Sequence, residues 1–181
     1  DSKGYEYKAK LTILKEAART LNYLTENNLL QYADLEKKVE DVHSSYDRTG
    51  KELKGVEARL REVQPLIKNI SNYQRLKPVY DAFQKAKDKP GFKAKHEAEL
   101  VIFEAARSTL LAMQGDEKLP RLKTLQAEQQ RLLEEQQRLY DERATLKKEA
   151  RIIDTMKANV DIFLKPSVVQ ESEQIRDNQR E

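Results

Sequence analysis

Between residues 35 and 70 the apolar positions fall four and three apart without a slip. They are Leu35, Val39, Val42, Tyr46, Thr49, Leu53, Val56, Leu60, Val63, Ile67 and Ile70, and only Thr49 departs from apolar character. A 3.5-residue period keeps one seam facing a partner helix along its whole length, whereas a helix lying on a globule drifts towards 3.6. The spacing predicts a long coiled-coil helix over 29–70. Gly50, Gly55 and Pro65 are its flaws, and Pro65, on the outer face, predicts a bend. A second seam repeats every seven residues at Leu125, Leu132, Leu139, Leu146, Ile153 and Val160. Its companions (Leu122, Gln129, Gln136, Arg143, Ala150, Lys157 and Leu164) are mixed, too polar for this helix to pair with itself. Leu133 and Tyr140 widen the stripe on the flank, as expected for a helix with more than one neighbour. This helix is expected over 120–166.

The remaining segments fall around these two seams. Leu11, Leu14, Ala18, Leu21 and Tyr23–Leu24 predict an amphipathic helix within 1–28, ended by Asn27–Asn28, because Asn tolerates the left-handed conformation. Over 71–119 the register changes. Tyr73, Leu76, Tyr80 and Phe83 form an aromatic stripe interrupted by Pro78, and Lys87-Asp88-Lys89-Pro90-Gly91 reads as a turn. A helix from about Phe92 to Met113 carries Leu100, Phe103, Ala106 and Leu110 on one face, Gly115–Asp116 ends it, and Pro120 suits the first turn of the next. The fold class expected is all-α: an elongated antiparallel coiled-coil hairpin of two long helices, with a small helical tip at 71–119 and the N-terminal helix packed at the base. A parallel homodimer through either seam is the rival arrangement. Residues 167–181 lose the pattern and read as a disordered tail.

Composition agrees with long helices that bury a narrow stripe: 36% of residues are charged and 38% hydrophobic, with five Gly, five Pro and no Trp. The absence of Cys excludes disulfides and thiolate metal sites and fits a reducing cytoplasm. No apolar run approaches the roughly 20 residues of a membrane helix, so no membrane association is expected. The chain opens with Asp1 rather than Met and reads as a piece of a longer protein.

Reactive constellations are not apparent. His43 adjoins a seam residue and reads as a helix side chain. His96 opens His96-Glu97-Ala98-Glu99, which lacks the second histidine that a zinc-protease helix needs four residues on. No Gly-rich phosphate loop, Ser/His/Asp trio or Cys nucleophile is present, and Tyr46, Tyr73 and Tyr80 fall on packing stripes. Catalytic, cofactor and metal residues are therefore all expected to be none. One charge feature stands out. Arg75, Lys77, Lys85, Lys87, Lys89, Lys93 and Lys95 are opposed only by Asp81 and Asp88 up to His96, an excess of five positive charges against +3 for the whole chain. With Tyr80, Phe83 and Phe92 interleaved, these seven are the candidate contacts to a nucleic-acid phosphate backbone. Lysine predominates, which favours non-specific charge contact over base reading. The other reading is a solvated lysine-rich loop that keeps the tip soluble.

The strings Gly4-Tyr5-Glu6, Ala9-Lys10, Leu14-Lys15, Thr20-Leu21-Asn22-Tyr23-Leu24 and Tyr32-Ala33-Asp34-Leu35-Glu36 resemble the region downstream of the nuclease domain in relaxases (mobilisation nucleases) of mobile elements from Gram-positive gut bacteria. The resemblance continues through Ile70-Ser71-Asn72-Tyr73, Lys95-His96-Glu97, Leu119-Pro120, Leu125-Gln126 and Lys157-Ala158-Asn159-Val160-Asp161. In that family an N-terminal domain nicks DNA with a tyrosine and a metal-binding histidine cluster; neither is recognisable here, so no catalytic residue carries over. The resemblance implies a cytoplasmic bacterial accessory region that holds DNA or docks other conjugation proteins. A purely structural coiled-coil spacer or dimerisation module, with no nucleic-acid role, is the alternative.

Overall fold

The computed structural model describes residues 2–114 and 120–165. The expected stop at Gly115–Asp116 and the expected tail at 167–181 lie outside them. The described chain is all-helical: α1 (Ser2–Glu26), α2 (Tyr32–Lys85), α3 (Lys89–Lys95), α4 (Glu97–Gln114) and α5 (Leu122–Leu164). α2 extends beyond the seam that predicted it and runs through Pro65 and Pro78 without a break in the helix. Both prolines are exposed, so the carbonyls one turn back that lose an N–H partner have access to water.

Two compact units divide the chain: residues 1–49 with 142–181, and residues 50–141. In the first, α1, the start of α2 and the end of α5 enclose Leu24, Leu29, Leu35, Val42 and Ile153, with Tyr23, Val39, Ala150 and Val160 around them. Asn28 adopts φ 56° after α1, as its position predicts. The amide of Leu29 then donates to the Leu24 carbonyl at 2.8 Å, closing the turn over two buried leucines. α2 and α5 run antiparallel here: Tyr32 meets Lys157 and Asp161, Lys38 meets Glu149, and Tyr46 meets Arg143. Two polar companions of the α5 seam, Arg143 and Lys157, thereby find partners. The Arg143 guanidinium lies 4.3 Å from the Tyr46 ring centroid. The Lys157 ammonium reaches Asp161 at 2.8 Å and the Tyr32 hydroxyl at 3.2 Å. Their long stems cover the seam while the charges stay at its edge.

The second unit holds the rest of α2, α3, α4 and the start of α5. Val63, Ile70, Leu110 and Leu125 form its central cluster, flanked by Leu66, Ile67, Tyr73, Leu122 and Leu132. α2 and α5 are antiparallel in this unit too: the Tyr140 hydroxyl donates to Glu57, Arg59 to Glu128, and Val63 packs with Leu125. Leu139 is fully buried, whereas Leu133 and Tyr140 are largely exposed. α5 has neighbours besides α2, with Leu110 of α4 in the cluster of Leu125 and with Asn159 bonded to Thr20 of α1, and the Tyr140 hydroxyl is held by its bond to Glu57.

Every position of the α2 seam is buried or half-buried, Thr49 included. The Thr49 hydroxyl lies 3.0 Å from the Ser45 carbonyl and 2.9 Å from that of Tyr46, so its polar atom is satisfied within its own helix. Replacing it with the nearly isosteric Val removes a polar group that makes no cross-helix bond. Thermal denaturation of Thr49→Val is expected to show unchanged or raised stability, by up to about 1 kcal/mol; a clear loss would mean that the hydroxyl holds more than its own turn.

Candidate nucleic-acid interface

The lysine-rich segment is placed by an aromatic ladder within the second unit. Phe103 of α4, 2% exposed, stacks on Tyr73 and Tyr80 of α2 with ring centroids 5.1 and 4.4 Å apart. Phe83 continues the row to Phe92 of α3 at 6.2 Å, and Phe92 stacks on His96 at 4.5 Å. The stripe legible in the sequence is thus the surface onto which α3 and α4 fold. His96 separates those two helices, where the sequence predicted one helix from Phe92 onward. Its Nδ1 contacts Glu99, and His43 contacts Asp154. No group of three metal-ligating side chains occurs among the described residues.

The turn between α2 and α3 is shorter than expected. Residues 86–88 make the connection, while Pro90 and Gly91 already belong to the first turn of α3. Asp88 caps that helix, its carboxylate accepting from the Gly91 amide at 3.0 Å. A Cβ on Gly91 would lie 2.2 Å from the Asp88 Oδ2, so glycine is what lets the cap close.

All seven predicted basic residues are exposed or half-exposed at the surface, but they are not equivalent. Lys77 pairs with both oxygens of Asp81, at 2.9 and 3.1 Å, and that bond raises its pKa. Arg75 reaches the Asn72 side chain at 3.3 Å. Two residues apart on one helix, Arg75 and Lys77 diverge by about 200° and do not face a common ligand. Lys85, Lys87, Lys89, Lys93 and Lys95 make no ion pair with a described carboxylate; Lys89 lies 6.0 Å from the Phe83 ring centroid. Lys89 and Lys93, four apart, share one face of α3, and Lys95 lies on another.

A cationic window closed at His96 leaves out the carboxylates on its C-terminal side. Glu97 and Glu104 line, with Lys93, Tyr80, Phe83, Leu100 and Val101, an apolar recess of about 380 Å³. The positive segment therefore has an acidic border, and the sequence signal for it is the run Glu97, Glu99, Glu104.

No family model, curated protein or solved structure matches this chain. Chemistry alone therefore characterises the site. Bonds to Asp161 and Glu57 raise the hydroxyls of Tyr32 and Tyr140, and burial raises that of Tyr23. None of the described helices is long and apolar enough to cross a membrane.

Proposed function

We propose that this chain is a non-catalytic accessory domain of a relaxase, in which the segment from Lys85 to Lys95 contacts the phosphate backbone of DNA during mobilisation in the bacterial cytoplasm. In this reading α2 and α5 form one antiparallel coiled-coil hairpin and the aromatic ladder displays the lysines. The observation that carries it is the set of five exposed lysines (85, 87, 89, 93, 95) with no ion-pair partner among the described carboxylates. Ammonium groups on α3 (Lys89, Lys93, Lys95) and just before it (Lys85, Lys87), with no ion pair to a described carboxylate, offer charge at no cost of breaking internal pairs. The relaxase assignment rests on the sequence resemblance, and docking to other conjugation proteins belongs to the same reading.

The structural-spacer reading is favoured by one observation, the acidic border at Glu97 and Glu104, which weakens the positive field. Fluorescence anisotropy with labelled single- and double-stranded DNA separates the two. Accessory-domain function predicts binding at about 50 mM salt that weakens steeply by about 200 mM. A spacer predicts no binding at either.

A further inference from the structure

The apolar residues that predicted α1 do not all serve to pack it. Thr20 and Leu24 are buried against the first unit, and Asn159 of α5 donates to the Thr20 hydroxyl at 3.1 Å. Tyr7, Leu11, Leu14 and Leu21, by contrast, are 69%, 41%, 67% and 58% exposed. With Ala18, also exposed, they fall at intervals of four, three, four and three, the same spacing as the buried seam of α2. α1 therefore carries a second, exposed stripe with coiled-coil spacing, flanked at its C-terminal end by the buried Leu24. On another face of α1, a recess of about 310 Å³ opens between Ile13 and Phe163 of α5, and Ile162, Phe163 and Leu164 are exposed there. Exposed large apolar side chains in such number exceed what an ordinary surface scatters singly.

What covers the seam is indicated by its flanks. With Tyr7 and Leu14 at d positions and Leu11 at a, the residues bordering the N-terminal half of the seam are Lys3, Lys8, Lys10 and Lys15, all exposed; Ala17, Asn22 and Leu24 border the rest. A parallel second copy of α1 would set lysine against lysine, since e meets g; a fully overlapping antiparallel copy would set the lysines against Ala17, Asn22 and Leu24 and give them no carboxylate. Phosphate would satisfy the lysines and leave the leucines in water. The unbroken heptad spacing matches the period of a helix, while the cationic borders call for carboxylates. We infer that the outer face of α1 docks an amphipathic helix of a partner protein, apolar at its own a and d positions and acidic at e and g. This inference concerns the first unit and does not rest on the DNA reading.

The test uses the full chain and two synthetic heptad peptides of about 21 residues with leucine at a and d, one with Glu and one with Lys at e and g. The Glu peptide is expected to bind at least tenfold more tightly than the Lys peptide. Leu11→Asp/Leu14→Asp should abolish that binding without altering the circular dichroism spectrum, since both positions are exposed. Lys8→Glu/Lys15→Glu should abolish the preference, since Lys3 and Lys10 remain and the borders become neutral, and Gln at Lys85, Lys87, Lys89, Lys93 and Lys95 should leave it unchanged. The inference is overturned if the peptides bind equally or not at all. It is also overturned if the Leu11/Leu14 variant abolishes self-association in sedimentation, or binding to phosphatidylserine vesicles, while leaving peptide binding intact.

Discussion

Phe103→Ala is expected to destabilise the unit formed by residues 50–141 by about 3–5 kcal/mol, the largest single-residue effect in the molecule. The side chain is 2% exposed and its ring is shared between Tyr73 and Tyr80. Truncation removes the buried apolar area, leaves a cavity that two flat rings fill poorly, and deletes two aromatic contacts of about 0.5–1.5 kcal/mol each. Urea titration followed by tyrosine near-ultraviolet circular dichroism reads the effect. Val101→Ala, on the same helix and 60% exposed, is the control, with an expected change within about 0.5 kcal/mol. Equal midpoints for the two variants would show that the aromatic ladder does not hold α4 in place.

Replacing Lys85, Lys87, Lys89, Lys93 and Lys95 together with Gln is expected to lower DNA affinity by about 10²–10³-fold at low salt. Each lost phosphate contact removes roughly 0.9 from the slope of log affinity against log salt for duplex DNA, so the slope should flatten by about 4.5. All five side chains are exposed, so the fold is expected to survive. Arg75→Gln should weaken binding less, because that side chain lies farther back on α2 and diverges from Lys77. Glu97→Gln/Glu104→Gln should strengthen binding by relieving the acidic border. Identical titrations of wild type and the five-lysine variant, with both single- and double-stranded DNA, would contradict the proposed interface.

The helices themselves were legible because two of them carry long, regular apolar rows. Every α2 position from Leu35 to Ile70 chosen on spacing alone is buried or half-buried, as is every α5 position from Leu122 to Val160. Asn28 was legible for a local reason, the left-handed tolerance of its side chain. What escaped was set by partners distant in sequence. Nothing near Arg143 or Lys157 announces that Tyr46 and Tyr32 will receive them, so the α5 seam looks more polar in sequence than it is in place. Leu11, Leu14 and Leu21 have the spacing of core residues because periodicity reports a face, not what lies against it. The prolines of α2 have the look of interruptions because propensity counts a lost bond, while an exposed carbonyl has water to replace it.

Of the seven basic residues, sequence located the segment but not its internal division. Lys77 is engaged by Asp81 one turn on, a pairing predictable from i,i+4 spacing, whereas the acidic border at Glu104 faces Lys93 only because α4 folds back on α2. The candidate interface is therefore narrower than composition suggested, and concentrated between Lys85 and Lys95.

Central to all of this is the antiparallel pairing of α2 and α5 within one molecule. Spin labels at Lys54 and Gln137, both exposed and both in the unit of residues 50–141, measure it directly when the labelled chain is diluted into unlabelled protein. Adjacent helices with axes about 8–10 Å apart predict a single, narrow distance of roughly 15–25 Å between the labels. A distribution centred beyond roughly 40 Å, with shorter distances only in the undiluted sample, would show that the seams pair between chains, and would contradict the fold on which both proposed surfaces stand.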